Sequence, residues 1–426
     1  MSLAARIFPD EFYRDADLRL VQAVPPGALD ILDAESASGA LAEVLRHLVP
    51  ERRVHGLDSV PPAERSGFST VFADAADAAR RLPPASLDLI LVGARRLADP
   101  ASLAALRPLL RPHGQLLAAL PNAQHWTQLE RLLRGEPAGG VTAPQLVRAL
   151  LDAGFLPQIV DRRIHTLPDA WLGALPTQAE RQRLSLETCL ARSQTLTFVV
   201  GARAQPEAPA GAVLPVTLGV CSNDADVLAD NLLASPDLQD DTHQVVIVEG
   251  VPSFAAGLDA VLAQARHDLV VLVHQDVYLP RGWFARLRHH YAAARQHTRV
   301  GVLGVYGVRG APAGIVRAGR VADRDALLNE TTPLSAPVSS LDEIVLALPR
   351  DTPLRPDPAL GFHLYGTDLA LAAERAGLAA LAIDAPCHHN SQQGSELPAA
   401  FHASAAVLRA RWRERLPLAT PCMLLR

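Results

Sequence analysis

Short unbroken apolar runs recur along the chain, and most stop abruptly at a polar or turn-forming residue. Ala28–Leu32, Val54–Leu57, Leu87–Val92 and Gln115–Leu120 are four such runs in the first half. Between and around them, Phe8–Val24, Ala40–Leu48, Leu103–Leu110 and Pro144–Ala153 have the composition and apolar spacing of helices. Runs of strand length predict strands buried on both faces of a sheet. Leu156–Val160 follows as a further strand, His113-Gly114 is expected to turn the chain, and Gly154 to close the helix before it. Strands alternating with helices predict a mostly parallel, doubly wound α/β sheet.

Residues 205–214 break this pattern. They are rich in Pro, Ala and Gly, nearly uncharged and without periodicity, and they read as an interdomain linker. Beyond them Val216–Cys221 and Gln244–Glu249 predict strands, and Ala229–Leu233, Phe254–Ala265 and Trp283–Arg295 predict helical segments. The most pronounced run is LVVLVHQDVYL, Leu269–Leu279, in which five apolar residues end at His274-Gln275-Asp276. Polar groups at the carboxyl end of a buried strand stand where open α/β sheets bind ligands. Asp276 is thus placed to hold a hard cation against a diphosphate, with His274 beside it, although Asp also caps turns. A last helix is predicted at Phe401–Arg415, packed on the outside of its domain.

Composition narrows the function. At 426 residues two domains are the expectation, and no apolar run approaches the roughly 18 residues that span a bilayer. A net charge of −5 argues against a nucleic-acid binder. The start, MSLAARIFPDEFYRD, lacks the apolar stretch of a secretory signal, and Cys189, Cys221, Cys387 and Cys422 show no framework spacing. A reducing cytoplasm is expected. Lysine is absent from the chain, which excludes a Lys Schiff base and a Walker-type phosphate lysine.

The first half resembles a class I S-adenosylmethionine-dependent methyltransferase over roughly residues 10–204. The pieces that match are ALDILDAESASGALAEVL, the acid-ended HGLD, LDLILVGARRLADP, LRPLLRPHGQLLAALPN and ALLDAGF. TLTFVVGA, Thr195–Ala202, looks like the family's last strand, reached after an inserted helix at about Gln178–Arg192. The resemblance implies a Rossmann-like fold with cofactor contacts at Asp33, Gly39 and Asp58. The family's first loop is Gly-rich so that backbone can pass close to the cofactor. Here two of the three expected glycines read Glu35 and Ala37, so residues 1–204 are expected to be a degenerate scaffold or acceptor-positioning domain.

From Pro215 to about Gln392 the chain resembles a nucleotide-sugar glycosyltransferase of the GT-A fold, in the broad family 2 group. Five pieces stand in order: VTLGVCSND, VLAQARHDLVVLVHQDVYLPRGW, VGVLGVYG with APAGIVRAG, VSSLDEIVLALPR, and LGFHLYGTDLALAAERAGLAALAIDAPCHHNS. The expected fold class is therefore α/β in two domains, Rossmann-like then GT-A, with 215–396 as the transferase and 397–426 as a C-terminal helix and tail. The family's metal motif is usually D-x-D. Asp276 matches its retained acid, His274 replaces the other, and His388 or His389 would add a ligand. Imidazole favours softer ions, which sets Mn²⁺ against Mg²⁺. Nucleotide-sugar contacts are implied at Cys221, Asn223, Asp224, Glu249 and Gln275, and acceptor-side contacts at Asp342, Glu343, His363 and Tyr365. Asp368 matches the catalytic Asp that would deprotonate the acceptor hydroxyl, giving inversion, although Thr367-Asp368 also makes a good helix N-cap. The implied partners are a nucleotide-diphosphate sugar donor and a glycan or protein acceptor, in bacterial polysaccharide or protein glycosylation. Two rival readings are a methyltransferase whose second domain binds carbohydrate, and a non-catalytic interaction protein.

Overall fold

The structure, a computed structural model, describes residues 18–35, 39–57, 67–181, 184–207, 214–239, 241–310, 314–324, 326–391 and 396–426. The chain divides into two compact units, Met1–Glu207 and Ala208–Arg426.

Unit 1 carries strands β1 (Asp30–Asp33), β2 (Arg53–Leu57), β3 (Thr70–Phe72), β4 (Leu87–Val92), β5 (Leu110–Pro121), β6 (Phe155–Ile164) and β7 (Thr195–Ala204). They form one sheet in the order β3-β2-β1-β4-β5-β7-β6. β1 runs parallel to both β2 and β4, and β7 returns antiparallel between β5 and β6. Ile31, Leu32, Leu89 and Ile90 have no exposed surface, as expected of strands covered on both faces. His113-Gly114 lies inside the long β5, in the stretch that leaves the ladder where the pairing with β4 jumps from Leu87–Leu110 to Leu89–Gln115, so the expected turn is an irregularity within the strand. The helix expected at Gln178–Arg192 is two helices, Leu175–Arg181 and Leu186–Gln194. The Ser185 hydroxyl caps the second by accepting from the Thr188 N–H.

Unit 2 carries β8 (Thr217–Ser222), β9 (Gln244–Glu249), β10 (Leu269–Val273), β11 (Val277–Tyr278), β12 (Val300–Gly304), β13 (Tyr306–Arg309) and β14 (Val316–Asp323). β15 (Ala326–Asn329), β16 (Ala336–Pro337), β17 (Ser340–Leu341), β18 (Val345–Pro349), β19 (Ala379–Ala382) and β20 (His388–His389) follow. The main sheet is ordered β16-β19-β12-β18-β10-β8-β9, and a second runs β11-β20-β14-β13-β17. All five residues of β10 are buried, parallel to β8 on one side and antiparallel to β18 on the other. β11 continues the chain from β10 into the second sheet, so the intervening 274–276 turn sits at the junction of the two.

Residues 397–426 are part of this unit, not a separate tail. The helix Ala399–Arg411 buries Phe401, Ala405 and Leu408 against Leu360, Leu364 and Leu371, and the following Trp412 is 1% exposed. The helix lies on the outside of the unit as expected, with one face buried and Arg409 and Arg411 exposed on the other. Among the described residues no helix is long and apolar enough to cross a membrane.

Candidate functional site

The carboxyl ends of β8 and β10 open into a cleft of about 530 Å³. Cys221, Asn223, His274, Gln275, Asp276, Glu343, His363, Tyr365 and His389, all singled out in the sequence, line it. Strand register explains how distant residues meet. In β20 His389 stands opposite Val277 of β11 and beside Asp323 of β14, and the Asn390 N–H donates to the Asp276 carbonyl at 2.9 Å. His274, Asp276 and His389 consequently offer one ligand atom each within 4.8 Å of one another.

Each imidazole has its second nitrogen engaged. His389 Nδ1 lies 2.8 Å from Asp323 Oδ1, leaving Nε2 at 3.5 Å from Asp276 Oδ2. His274 Nε2 lies 2.8 Å from the Tyr365 hydroxyl, and the Tyr365 ring stacks on Phe254 at 3.7 Å. Carboxylate and hydroxyl partners of this kind fix the tautomer and orientation of metal-ligating histidines. The charges interlock. Burial alone would discharge His389, but the carboxylates of Asp276 and Asp323 overcome it and push the imidazole up to about 10. Burial likewise opposes charge on Asp276, yet the facing His389 holds its carboxyl well below the usual range. Burial drives His274 down to about 4, so it is neutral at pH 7 with a lone pair to share. Two neutralisable imidazoles and a carboxylate fit a divalent ion, and an ion there would replace the His389 proton.

The remaining expected residues play different parts. Gln275 clasps the turn after β8: its Oε1 accepts from Ser222 Oγ and from the Asn223 and Asp224 N–H groups, while its Nε2 donates to Asn223 Oδ1. Asp224 caps the helix Ala225–Asp230 through the Asp226 and Val227 N–H groups and is not a lining residue. Glu249 is exposed at the end of β9, outside the cleft. His388 belongs to the same two-residue strand as His389, so it faces the opposite way, its Nε2 3.0 Å from the Arg324 carbonyl. The pair therefore contributes one ligand candidate, not two. Asp342 also lies outside the lining, its Oδ1 accepting from the Ile344 N–H. Glu343 lines the cleft, and burial raises its carboxyl well above the ordinary value.

Asp368 is not placed to act as the base. It has no exposed surface; Oδ1 accepts from Trp412 Nε1 at 2.6 Å and Arg411 Nε at 2.9 Å, and Oδ2 accepts from the Asp357 N–H at 2.8 Å. Its carboxylate latches the C-terminal segment to the helix Tyr365–Arg375. Lining residues missed in the sequence include Phe254, Phe362, Leu397, Pro398, Phe401 and Cys422. Asp323 was missed as the partner of His389; the only local signal is an acid closing the apolar strand β14.

In unit 1 the switch point of the sheet falls between β1 and β4, where such folds take ligands. Asp33 ends β1 and is buried, which raises its carboxyl to about 7. Gly39 adopts φ +83° at the start of the helix Ala40–Leu48. Asp58 and Ala37 lie outside the described residues. Glu35 crosses from the end of β1 to the end of β4, its Oε1 accepting from the Arg96 N–H at 2.8 Å while Arg96 Nε donates to the Ala34 carbonyl. A Cβ built on Gly93 would lie 1.9 Å from Glu35 Oε2, so the carboxylate rests directly on the backbone after β4. The position where a glycine would let a cofactor approach is thus filled by the chain itself.

No family model matches the chain, and no curated protein matches it. Solved structures that resemble it match its N-terminal part. The putative methyltransferase bound to the Haloferax volcanii Trm112 activator is 18% identical over 47% of this chain and 92% of its own, with a TM-score of 0.30. A SAM-dependent methyltransferase from Archaeoglobus fulgidus is 16% identical over 43% and 91%, with a TM-score of 0.31. One from Mesorhizobium loti is 17% identical over 44% and 96%, with a TM-score of 0.28. Similarity at this level adds nothing to what the strand order says of unit 1.

Proposed function

We propose that unit 2 transfers a sugar from a nucleotide-diphosphate donor to an acceptor hydroxyl. The observation that carries this reading is the convergence of His274, Asp276 and His389 at the carboxyl end of β10, inside a cleft that also holds Ser222 and Asn223. A divalent ion bound there would neutralise the diphosphate as it departs, a task that falls to metal or Arg in a chain without lysine. Asp276 Oδ2, His389 Nε2 and the free nitrogen of His274 would hold the ion. Asp323 keeps the His389 proton on Nδ1, and Tyr365 fixes the His274 ring. Two imidazoles tilt the site toward Mn²⁺ over Mg²⁺. With Asp368 sealed in its latch, Glu343, which lines the cleft beside Tyr365, is the candidate that would deprotonate the acceptor once ionised, and direct displacement would invert the anomeric centre. Thermal-shift and calorimetric titration with UDP, GDP and dTDP, with and without Mn²⁺, tests this. One nucleotide should bind in a Mn²⁺-dependent manner, and Asp276→Asn should abolish the dependence; no binding by any of them sinks the proposal.

A second reading, methyl transfer from S-adenosylmethionine by unit 1, is favoured by that unit's strand order and by Asp33 at the tip of β1. The residues present do not fit the cofactor, because the Glu35 carboxylate occupies the switch point. Equilibrium dialysis with S-adenosylmethionine separates the two readings.

A further inference from the structure

The cleft in unit 2 has a second, apolar wall that the chemistry at His274, Asp276 and His389 does not use. Ring and backbone contacts border it on the side of the ion-binding cluster. His274 bonds Tyr365, Tyr365 stacks on Phe254, the Phe254 N–H donates to the Gly361 carbonyl, and the His363 ring meets Phe401 at 5.7 Å. Around the far end stand Phe362 and Leu397, 39% and 36% exposed although both line the cleft, together with Pro398 and Phe401. Large apolar side chains left open inside a concave site mark a surface that a ligand covers. The wall is built by two segments the Asp368 latch holds together: the turn before the helix Tyr365–Arg375 and the start of the C-terminal helix. Leu364, in the left-handed region at φ +62°, sets the direction of that turn.

We infer that this wall is an acceptor subsite for an apolar aglycone, an alkyl or aryl group attached to the hydroxyl-bearing part of the acceptor. The inference rests on the transferase reading and deepens it. The wall and the ion cluster line one cleft, and the polar side chains Ser222, Asn223 and Gln275, bonded to one another, lie on the 222–224 turn and the 274–276 turn rather than on this wall. An occupant of the wall thus reaches the reacting centre from the side opposite in chemistry to the donor.

The test uses the full chain and three probes, methyl, n-octyl and p-nitrophenyl β-D-glucopyranoside, the octyl compound below its micelle threshold. Binding is followed by ligand-observed NMR in the presence of Mn²⁺, and Mn²⁺–nucleotide affinity is measured separately on the same samples. The octyl or the p-nitrophenyl compound should bind at least tenfold tighter than the methyl one, the better of the two naming an alkyl or an aryl acceptor. Phe362→Gln with Leu397→Gln should erase that preference while nucleotide affinity stays within twofold. Phe362→Ala alone, at an exposed position, repeats the measurement with less risk to folding. Equal binding of all three probes, or a variant that weakens nucleotide instead, overturns the inference and assigns the wall to the nucleobase. If no nucleotide binds yet the apolar preference is present, the transferase reading fails and the apolar subsite stands.

Discussion

In the sequence, Thr367-Asp368 ahead of an apolar helical run suits a cap or a base, but the helix begins three residues earlier at Tyr365 and its N-cap is Leu364. The partners of Asp368 make it an anchor instead: an indole N–H, a guanidinium and a backbone N–H saturate the carboxylate in the core. Asp368→Ala leaves the Trp412 indole N–H and the Asp357 N–H without their acceptor, while Arg411 keeps Asp357, and should destabilise unit 2 by roughly 2–4 kcal/mol. Asp368→Asn presents an NH₂ to one of the donors and should also lower the melting temperature. A base would behave otherwise, with turnover collapsing at unchanged melting temperature. Asp33 makes a second residue-scale case. Its folded-state carboxyl titrates near 7, above the ordinary 3.8, because burial disfavours the charge. Well below 3.8 both folded and unfolded states carry the proton and nothing is lost. As pH rises toward 7 the unfolded state ionises first, so folding is progressively penalised, and above 7 the penalty is complete. Asp33→Asn keeps an acceptor for the Glu35 N–H and should stabilise unit 1 on the order of 4 kcal/mol at pH 8, falling to about 0.5 kcal/mol at pH 4. Chemical denaturation of both proteins at the two pH values checks it; an equal gain at pH 4 would refute the burial argument.

At the scale of elements, the apolar runs of β1, β4, β8 and β10 were legible because those strands are covered on both faces, while β9, at the edge of its sheet, falls where its run does although Ile247 is exposed. What the runs could not convey is parity and partner. Two adjacent histidines look alike in sequence, but a strand sends consecutive side chains to opposite faces. β20 pairs with β11 and β14 so that His389 reaches the cleft and His388 the Arg324 carbonyl. Asp323, 66 residues from His389, enters only through that pairing. His389→Ala should therefore weaken Mn²⁺ binding 10- to 100-fold by calorimetry. His388→Ala should leave Mn²⁺ affinity within about twofold and instead cost roughly 1 kcal/mol of stability. Equal losses from the two variants would mean that the register of β20 is not as described. The C-terminal helix packs on the outside of its unit as its alternating Arg and apolar positions imply, but nothing in that pattern conveyed that Phe401 lines the cleft while Leu408 and Trp412 pack in the core behind it.

Across the whole molecule, two α/β units of similar size present opposite situations at the ends of their central strands. In unit 2 the carboxyl end of β10 is open, and the acids and imidazoles there are held in place by Asp323 and Tyr365 rather than by each other alone. In unit 1 the corresponding crevice is spanned by Glu35, whose carboxylate takes the Arg96 N–H that a ligand would otherwise need to satisfy. The same loss was visible in the sequence as an absent glycine, but only the structure shows that the replacement side chain fills the space instead of turning to solvent. The intact protein should accordingly show no measurable affinity for S-adenosylhomocysteine by calorimetry. Glu35→Gly removes both the carboxylate and its Cβ and restores free passage for backbone at the switch point. It should bring S-adenosylhomocysteine binding into a measurable range, at least tenfold above the parent, without altering Mn²⁺–nucleotide binding in unit 2. Micromolar binding by the unaltered chain would show that Glu35 swings aside, and would return unit 1 to the enzymes its strand order resembles.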